Sequence, residues 1–259
     1  MAVTEEASSR SEAVYLDLRQ KLLRGEFTPN YRLKLSELCA ERGVSVSVVR
    51  EALTRLAEQG LIQSQPNKGF YIPDYTVEEI NDLAFLRSHL EALAIRLAIE
   101  RGDARWEASV VAAHHELRLT PRVRSSVDPV GNQRWSRAHA AFHAACVAAC
   151  GSPRLVAAQH RLYDEAEVLR QMSEISGGIS RDAEGEHAAM VEAITSRDAD
   201  RAAELIRRHV EITASLSVQA ALARTDRENQ LLNAGVVERP VAFWAAGLVS
   251  GGFVFRRRV

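Results

Sequence analysis

The sequence lacks the features that mark secreted and membrane proteins. It has only three cysteines, Cys39, Cys146 and Cys150, and all three lie within helical patterns, so no disulfide framework is expected. Met1–Arg10 is polar and acidic, which does not fit a signal peptide. A reducing, cytoplasmic location without a membrane partner is therefore predicted.

Motifs of common enzyme classes are also missing. The sequence has no HExxH motif, no nucleophile elbow and no glycine-rich phosphate loop. We therefore do not expect an enzyme. A metal-dependent enzyme stays open as a remote alternative, because the histidine cluster described below is of a kind that also occurs in catalytic sites.

Neither sign of charge is in large excess. The 33 Lys and Arg residues balance 34 Asp and Glu residues, which does not fit a polycationic nucleic-acid binder. Between Arg19 and Ile72, however, the sequence has nine basic residues and five acidic ones. This local excess fits specific DNA binding at physiological salt better than tight indiscriminate binding.

The segment Leu33–Tyr71 begins with the pattern of two short helices. Ser36 can cap the first helix, and Gly43 can end it in a left-handed conformation. The second helix begins at Ser45 or Ser47. Its apolar residues recur three and four apart and form one buried stripe: Val48, Val49, Ala52, Leu53 and Leu56.

A β-hairpin follows this helix pair. Gly60 ends the second helix, and the strand-like runs 61–64 and 69–72 flank a turn rich in Pro, Asn and Gly. Helix, turn, helix and hairpin in this order predict a winged helix-turn-helix, whose second helix enters the major groove of DNA.

Residues 11–72 resemble the N-terminal domain of the GntR family of bacterial transcription regulators. The resemblance is carried by Gly43-Val44-Ser45, Val49-Arg50-Glu51-Ala52-Leu53, Leu56, Gly60-Leu61-Ile62 and Pro66-Asn67-Lys68-Gly69. Val46 and Val48 depart from the family, which usually has Arg and Pro at these positions, and Val46 puts the usual operator sequence in question. The resemblance implies a DNA-binding domain over residues 11–73, preceded by a disordered segment over residues 1–10.

The same resemblance implies which residues contact double-stranded operator DNA. Arg50 is expected to contact a base edge or a phosphate, and the alternative is a solvated helix residue. The full expected set is Ser45, Val46, Ser47, Arg50, Arg55, Lys68 and Gly69.

The remainder of the chain has helical patterns and no strand-like alternation. Thr76 to Glu79 forms a capping box, which opens a helix that continues to Gly102. Further helical segments follow at about 104–119, 131–150, 153–175, 182–196 and 199–222. The sequence therefore predicts a mainly α protein, in which residues 76–222 form an antiparallel all-α bundle.

Four histidines in this bundle are spaced as metal ligands. His139 and His143 lie four apart on one helix, and His187 and His209 lie on the apolar faces of two others. Burying imidazoles without partners costs a few kcal/mol per ring (about 2–7). A shared divalent transition metal such as Zn, Ni, Cu or Fe would satisfy all four rings. The alternative is a set of core histidines that hydrogen-bond to one another.

Residues 76–222 also resemble the FCD ligand-binding domain of the FadR subfamily, whose metal, when present, is held by an Asp and three His. His143, His187 and His209 fall on the three His positions, whereas His139 stands where the family usually has Asp. The resemblance implies that Arg87 holds an effector carboxylate, and the alternative is an i,i+4 salt bridge with Glu91 on the helix surface.

Together these patterns predict a homodimeric transcription regulator, by resemblance a repressor, that a small organic acid controls. The alternative is a DNA-binding dimer whose bundle is metal-free or purely structural. Residues 223–259 lie outside the resemblance and are expected to form a poorly ordered tail. Their apolar run, Val241–Phe255, is shorter than the roughly 20 residues of a membrane span.

Overall fold

The computed structural model describes residues 2–122, 129–175 and 181–233, and in these ranges the chain is mainly helical, as predicted. The helices are α1 (Ala2–Leu23), α2 (Leu35–Arg42), α3 (Val46–Glu58), α4 (Val77–Arg101), α5 (Ala104–Leu119), α6 (Pro129–Val147), α7 (Pro153–Ile175), α8 (Ala183–Thr195) and α9 (Ala199–Asn233). The strands are β1 (Arg32–Leu33), β2 (Gln63–Gln65) and β3 (Gly69–Tyr71). Among these described helices, none is long and apolar enough to cross a membrane.

The first three helices and the sheet form the head, a winged helix-turn-helix. Gly43 ends α2 with φ +62°, and Ser45 is the residue that precedes α3, both as predicted. The predicted cap at Ser36 is wrong, because α2 already begins at Leu35. Leu35 packs against the apolar core of the head, and this contact favours a helix that already includes Leu35.

The sheet contains one strand that the sequence did not reveal. The predicted hairpin is present as β2 and β3, with Asn67 in the left-handed region at φ +60°. Strand β1 adds to the other edge of β3, and it pairs Leu33 with Phe70. Both side chains are buried, so β1 fastens the wing to the core of the head.

Both ends of the described chain differ from expectation. Residues 2–10, expected to be disordered, belong to α1, and their Ala and Glu content favours a helix. Helix α9 continues to Asn233, past the predicted boundary at residue 222. Residues 234–259, which include Val241–Phe255, lie outside the described residues.

The remaining helices form the bundle, and α7 is where the head packs against it. The described residues up to Ala221 make one compact unit. Val168 and Met172 of α7 belong to the same apolar cluster as Leu18 and Leu53 of the head. The boundary expected at residues 73–76 therefore separates the head from the bundle in the sequence. In the fold, both parts contribute residues to one apolar core.

Helix α4 opens the bundle as predicted. The Thr76 hydroxyl accepts a hydrogen bond from the Glu79 backbone N–H, and the Glu79 carboxylate accepts one from the Thr76 backbone N–H. This capping box satisfies N–H groups that would otherwise lack a partner at the helix start.

Candidate metal centre and DNA-binding surface

The first turn of α3 presents an exposed polar surface. Ser45, Val46, Ser47 and Arg50 are all exposed, and the two serine hydroxyl oxygens lie 2.9 Å apart. No acidic residue occupies the first turn of α3. Its backbone N–H groups and the helix dipole therefore favour a phosphate at this end.

The wing contributes the remaining expected DNA contacts. Lys68 is exposed in the turn between β2 and β3, and Gly69 follows it at φ +103°, a conformation that few other residues adopt. These positions agree with the roles inferred from the sequence, which stay predictions.

Arg55 is held against α1. Its guanidinium donates a hydrogen bond to the Glu12 carboxylate over 2.6 Å and lies 4.1 Å from the centre of the Tyr15 ring. These two contacts fasten α3 to α1. Arg55 is therefore occupied within the head, in contrast to the exposed Arg50.

The four predicted ligand histidines come together in the bundle. His139 and His143 extend from α6, His187 from α8 and His209 from α9, and one ligand nitrogen from each lies within 4.8 Å of the others. All four side chains are buried. The helical spacing thus correctly predicted both their inward direction and their convergence.

The cluster provides neutral imidazoles. Burial lowers the pKa of His139, His187 and His209, and the neighbouring imidazoles and arginines add to the shift. Burial also lowers the pKa of His143, although Glu91 opposes the shift. Nε2 of His187 is buried without a hydrogen-bond partner. An unpartnered buried nitrogen beside three other imidazoles fits a divalent transition metal, which would take its lone pair.

Four side chains lie beside the Nδ1 atoms of three of these rings. The Glu91 carboxylate lies 3.8 Å from Nδ1 of His143, and the Glu186 carboxylate and the Arg181 guanidinium each lie 2.8 Å from Nδ1 of His209. The Tyr163 hydroxyl lies 2.7 Å from Nδ1 of His139. Such partners fix ring orientation and tautomer in metal sites. Neither Tyr163 nor Glu186 is predictable from the sequence, because no spacing rule links them to the four histidines.

Arg87 is buried beside this cluster, with 5% of its surface exposed. Its Nε donates to Glu91 over 2.7 Å, and the Gln159 amide donates to the same oxygen over 3.3 Å. The alternative i,i+4 salt bridge therefore forms, but in the interior and not on the helix surface. Although burial opposes ionisation, Arg87 and His143 hold the pKa of Glu91 below its usual value.

A cavity of about 330 Å³ lies beside His187, between α5 and α8. The lining of this cavity includes three arginines, Arg118, Arg122 and Arg181. It also includes two carboxylates, those of Asp182 and Glu184. Arg181 is itself engaged with Glu186 and Thr213. The cavity thus offers guanidinium groups close to one of the candidate metal ligands.

Comparison with known proteins finds two family matches along the chain. Residues 10–72 match the model of bacterial regulatory proteins, gntR family, and residues 82–212 match the FCD domain. The HTH-type transcriptional regulator BphR of Paraburkholderia xenovorans (strain LB400) is 35% identical over 215 residues, which cover 82% of this chain and 87% of that protein. The HTH-type transcriptional repressor GlaR of Escherichia coli (strain K12) is 32% identical over 213 residues, 81% of this chain and 96% of that protein.

Solved structures show the same fold. E. coli McbR/YncC aligns with a TM-score of 0.67 at 19% identity and covers 81% of this chain and 97% of its own. A transcriptional regulator GntR from Rhodococcus sp. RHA1 aligns with a TM-score of 0.65 at 23% identity, over 82% of this chain and 99% of its own.

Proposed function

This chain belongs to the GntR family of bacterial regulatory proteins and carries an FCD domain, and from that premise we propose a repressor whose operator binding is controlled by a small carboxylate at a metal centre. It is an HTH-type transcription regulator, and its families and relatives are regulators and not enzymes. We expect it to bind operator DNA in the cytoplasm. The convergence of four buried, neutral imidazoles from three helices carries the proposal.

The metal is a divalent transition ion such as Zn²⁺ or Ni²⁺, held by His139, His143, His187 and His209. His139 replaces a carboxylate by a neutral ring, which favours softer ions and leaves the site with less negative charge. That lower negative charge favours an anionic effector beside the metal. The metal would act as a Lewis acid that attracts the effector carboxylate.

The effector enters through the cavity beside His187. Arg118 and Arg122 line that cavity and suit a carboxylate, which a guanidinium can bind through two parallel hydrogen bonds. Arg87, the residue first expected to bind the effector, is already paired with Glu91. Its proposed contribution is to hold Glu91 ionised against His143.

A homodimer would present two heads to DNA. The outer surface of α4 carries exposed apolar side chains, among them Phe85, Leu86 and Leu93, and these suit a contact with the same helix of a second copy. Two heads in a symmetric dimer would bind half-sites about one DNA turn apart. Effector binding would then change the spacing or mobility of the two heads.

Elemental analysis of protein purified without a His tag tests the metal centre. We expect about one transition metal ion per chain in the wild type and none in the double variant His143→Ala/His209→Ala. The double variant His89→Ala/His115→Ala removes two exposed histidines outside the cluster and should keep the metal.

One observation favours the alternative of a metal-free bundle. Nε2 of His139 and Nε2 of His143 lie 3.2 Å apart, a distance at which one ring can donate a hydrogen bond to the other. Absence of metal from the wild type, even after addition of Zn²⁺ or Ni²⁺, would establish this alternative. The protein would then be a DNA-binding dimer with a structural bundle.

A further inference from the structure

His139 has a polar partner on each of its two ring nitrogens. Its Nε2 lies 3.2 Å from Nε2 of His143, and its Nδ1 lies 2.7 Å from the hydroxyl oxygen of Tyr163, which extends from α7. His139 and Tyr163 are each 6% exposed, so water does not readily replace either partner. The positions of the protons within this buried chain are therefore determined by the protein.

Without metal, the charge of Glu91 favours one direction for this chain of hydrogen bonds. A neutral imidazole has a single N–H, and the Glu91 carboxylate favours the N–H of His143 at Nδ1, the nitrogen that faces it. Nε2 of His143 is then an acceptor. His139 must donate from Nε2, which leaves its Nδ1 to accept a hydrogen bond from the Tyr163 O–H.

With metal, the same ring needs the opposite tautomer. A metal takes the lone pair of Nε2, so the single proton of His139 must lie on Nδ1. The Nδ1–H then donates to the Tyr163 oxygen. A hydroxyl is able to serve both states, because it can donate in one and accept in the other. A carboxylate, such as Glu91 beside His143, would favour only the Nδ1–H tautomer.

We propose that Tyr163 is a positioning residue of the metal centre, and that its hydrogen bond with His139 reverses direction when the metal binds. This inference rests on the proposed metal centre. Coordination polarises the imidazole and strengthens its N–H as a donor, so the Tyr163 contact stabilises the metal-bound state more than the metal-free state. Tyr163 therefore contributes to metal affinity without touching the metal.

Nitrogen NMR of protein labelled with ¹⁵N-histidine tests the reversal directly, with diamagnetic Zn²⁺ as the probe. We expect His139 to be the Nε2–H tautomer in the metal-free protein and the Nδ1–H tautomer after one equivalent of Zn²⁺. A resonance assignment by comparison with His139→Ala identifies the ring. If His139 already has its proton on Nδ1 without metal, the proposed reversal is wrong.

Zinc affinity, measured by competition with a chromophoric chelator, tests the contribution of Tyr163. Tyr163→Phe should weaken Zn²⁺ binding about 10-fold, the lower end of the effect of removing such a partner. Tyr15→Phe is the matched control, because Tyr15 donates a comparable 2.8 Å hydrogen bond to Gln59 within the head. It should leave the affinity unchanged.

The outcomes distinguish a failure of the proposed metal centre from a failure of the proposed role of Tyr163. If the wild type binds no Zn²⁺, the proposed metal centre fails. If the wild type binds Zn²⁺ and Tyr163→Phe binds it equally well, the metal centre stands and the role of Tyr163 is wrong. In a His139→Ala background Tyr163→Phe should cause no further loss, since the partner it positions is gone. Should Tyr163→Phe not fold, the wild-type tautomers alone decide.

Discussion

Arg19 of α1 forms an ion pair with Asp164 of α7, and Asp164 directly follows Tyr163, the residue that contacts His139. Two consecutive residues of one helix therefore touch the head and the histidine cluster. Burial raises the pKa of Asp164, and Arg19 opposes the shift. The pair lies at the seam where α7 joins the apolar core of the head.

We expect Arg19→Gln to lower the free energy of unfolding by about 1 kcal/mol, the upper end for a partly exposed pair, because it removes the guanidinium beside a largely buried carboxylate. Asp164→Asn should cost less, because the neutral amide also removes the penalty for burying that charge, and the double variant should cost less than the sum, because both changes remove the same interaction. Urea denaturation measures this. Asp200→Asn is the control, since its pair with Arg96 is far more exposed and its loss should be hardly measurable. Fully additive losses for the Arg19 and Asp164 variants would contradict a coupled pair.

Gly60 and Gly43 provide a comparison of two left-handed positions. Both have positive φ, +78° and +62°, so alanine is strained at either, by about 1 kcal/mol. A Cβ at Gly60 would also lie 3.1 Å from the Glu165 carboxylate of α7, whereas a Cβ at Gly43 meets no atom within 4 Å. Gly60→Ala should therefore destabilise the protein more than Gly43→Ala in the same denaturation experiment. Equal losses would show that the Glu165 side chain moves aside without cost.

Arg50 and Arg55 lie on the same helix, but replacing each by alanine should change a different property of the protein. Arg50→Ala removes an exposed side chain, so it should weaken operator binding about 10-fold or more and leave the melting temperature unchanged. Arg55→Ala removes the contacts with Glu12 and Tyr15, so it should lower the melting temperature. Fluorescence anisotropy on operator DNA and differential scanning calorimetry separate the two effects. Unchanged operator affinity in Arg50→Ala would make Arg50 a solvated helix residue.

The sequence predicted those parts of the molecule that depend on periodicity and local chemistry. The apolar stripe of α3, the left-handed Gly43 and the capping box at Thr76 are each determined by residues only a few positions apart. The four clustered histidines could be predicted to point inward because helical spacing alone places a side chain on a buried face.

Long-range contacts were harder to predict. Strand β1 is two residues long and shows no alternation, so only its pairing with β3 reveals it. Val168 and Met172 are apolar residues of α7, so the sequence predicts that they are buried. It does not predict that they pack against the head and not against another helix of the bundle. Tyr163 and Glu186 are ordinary helix residues until the fold brings a histidine within hydrogen-bond distance.

Acid should destabilise the metal-free protein in a window that the histidines determine. The folded-state pKa of His139, His143, His187 and His209 lies below the value of about 6.5 for an unfolded chain. The unfolded chain therefore binds more protons below pH 6.5, and the stability that these neutral rings contribute above that pH is lost as the pH falls. A ring whose pKa is lowered as strongly as that of His187 adds about 1.4 kcal/mol per pH unit to the slope.

Denaturant unfolding in EDTA at pH 7.5, 6.0 and 5.0 measures this slope. His187→Ala removes one buried ring, so between pH 6.0 and 5.0 its slope should be shallower than that of the wild type by about 1.4 kcal/mol per pH unit. His115→Ala, an exposed residue outside the cluster, should retain the wild-type slope. Because the slope reports protons taken up on unfolding, it is independent of any packing loss that His187→Ala causes at every pH. If His187→Ala has the same slope as the wild type, His187 is not a buried neutral ring that gains a proton on unfolding, and the lowered pKa of that ring is contradicted.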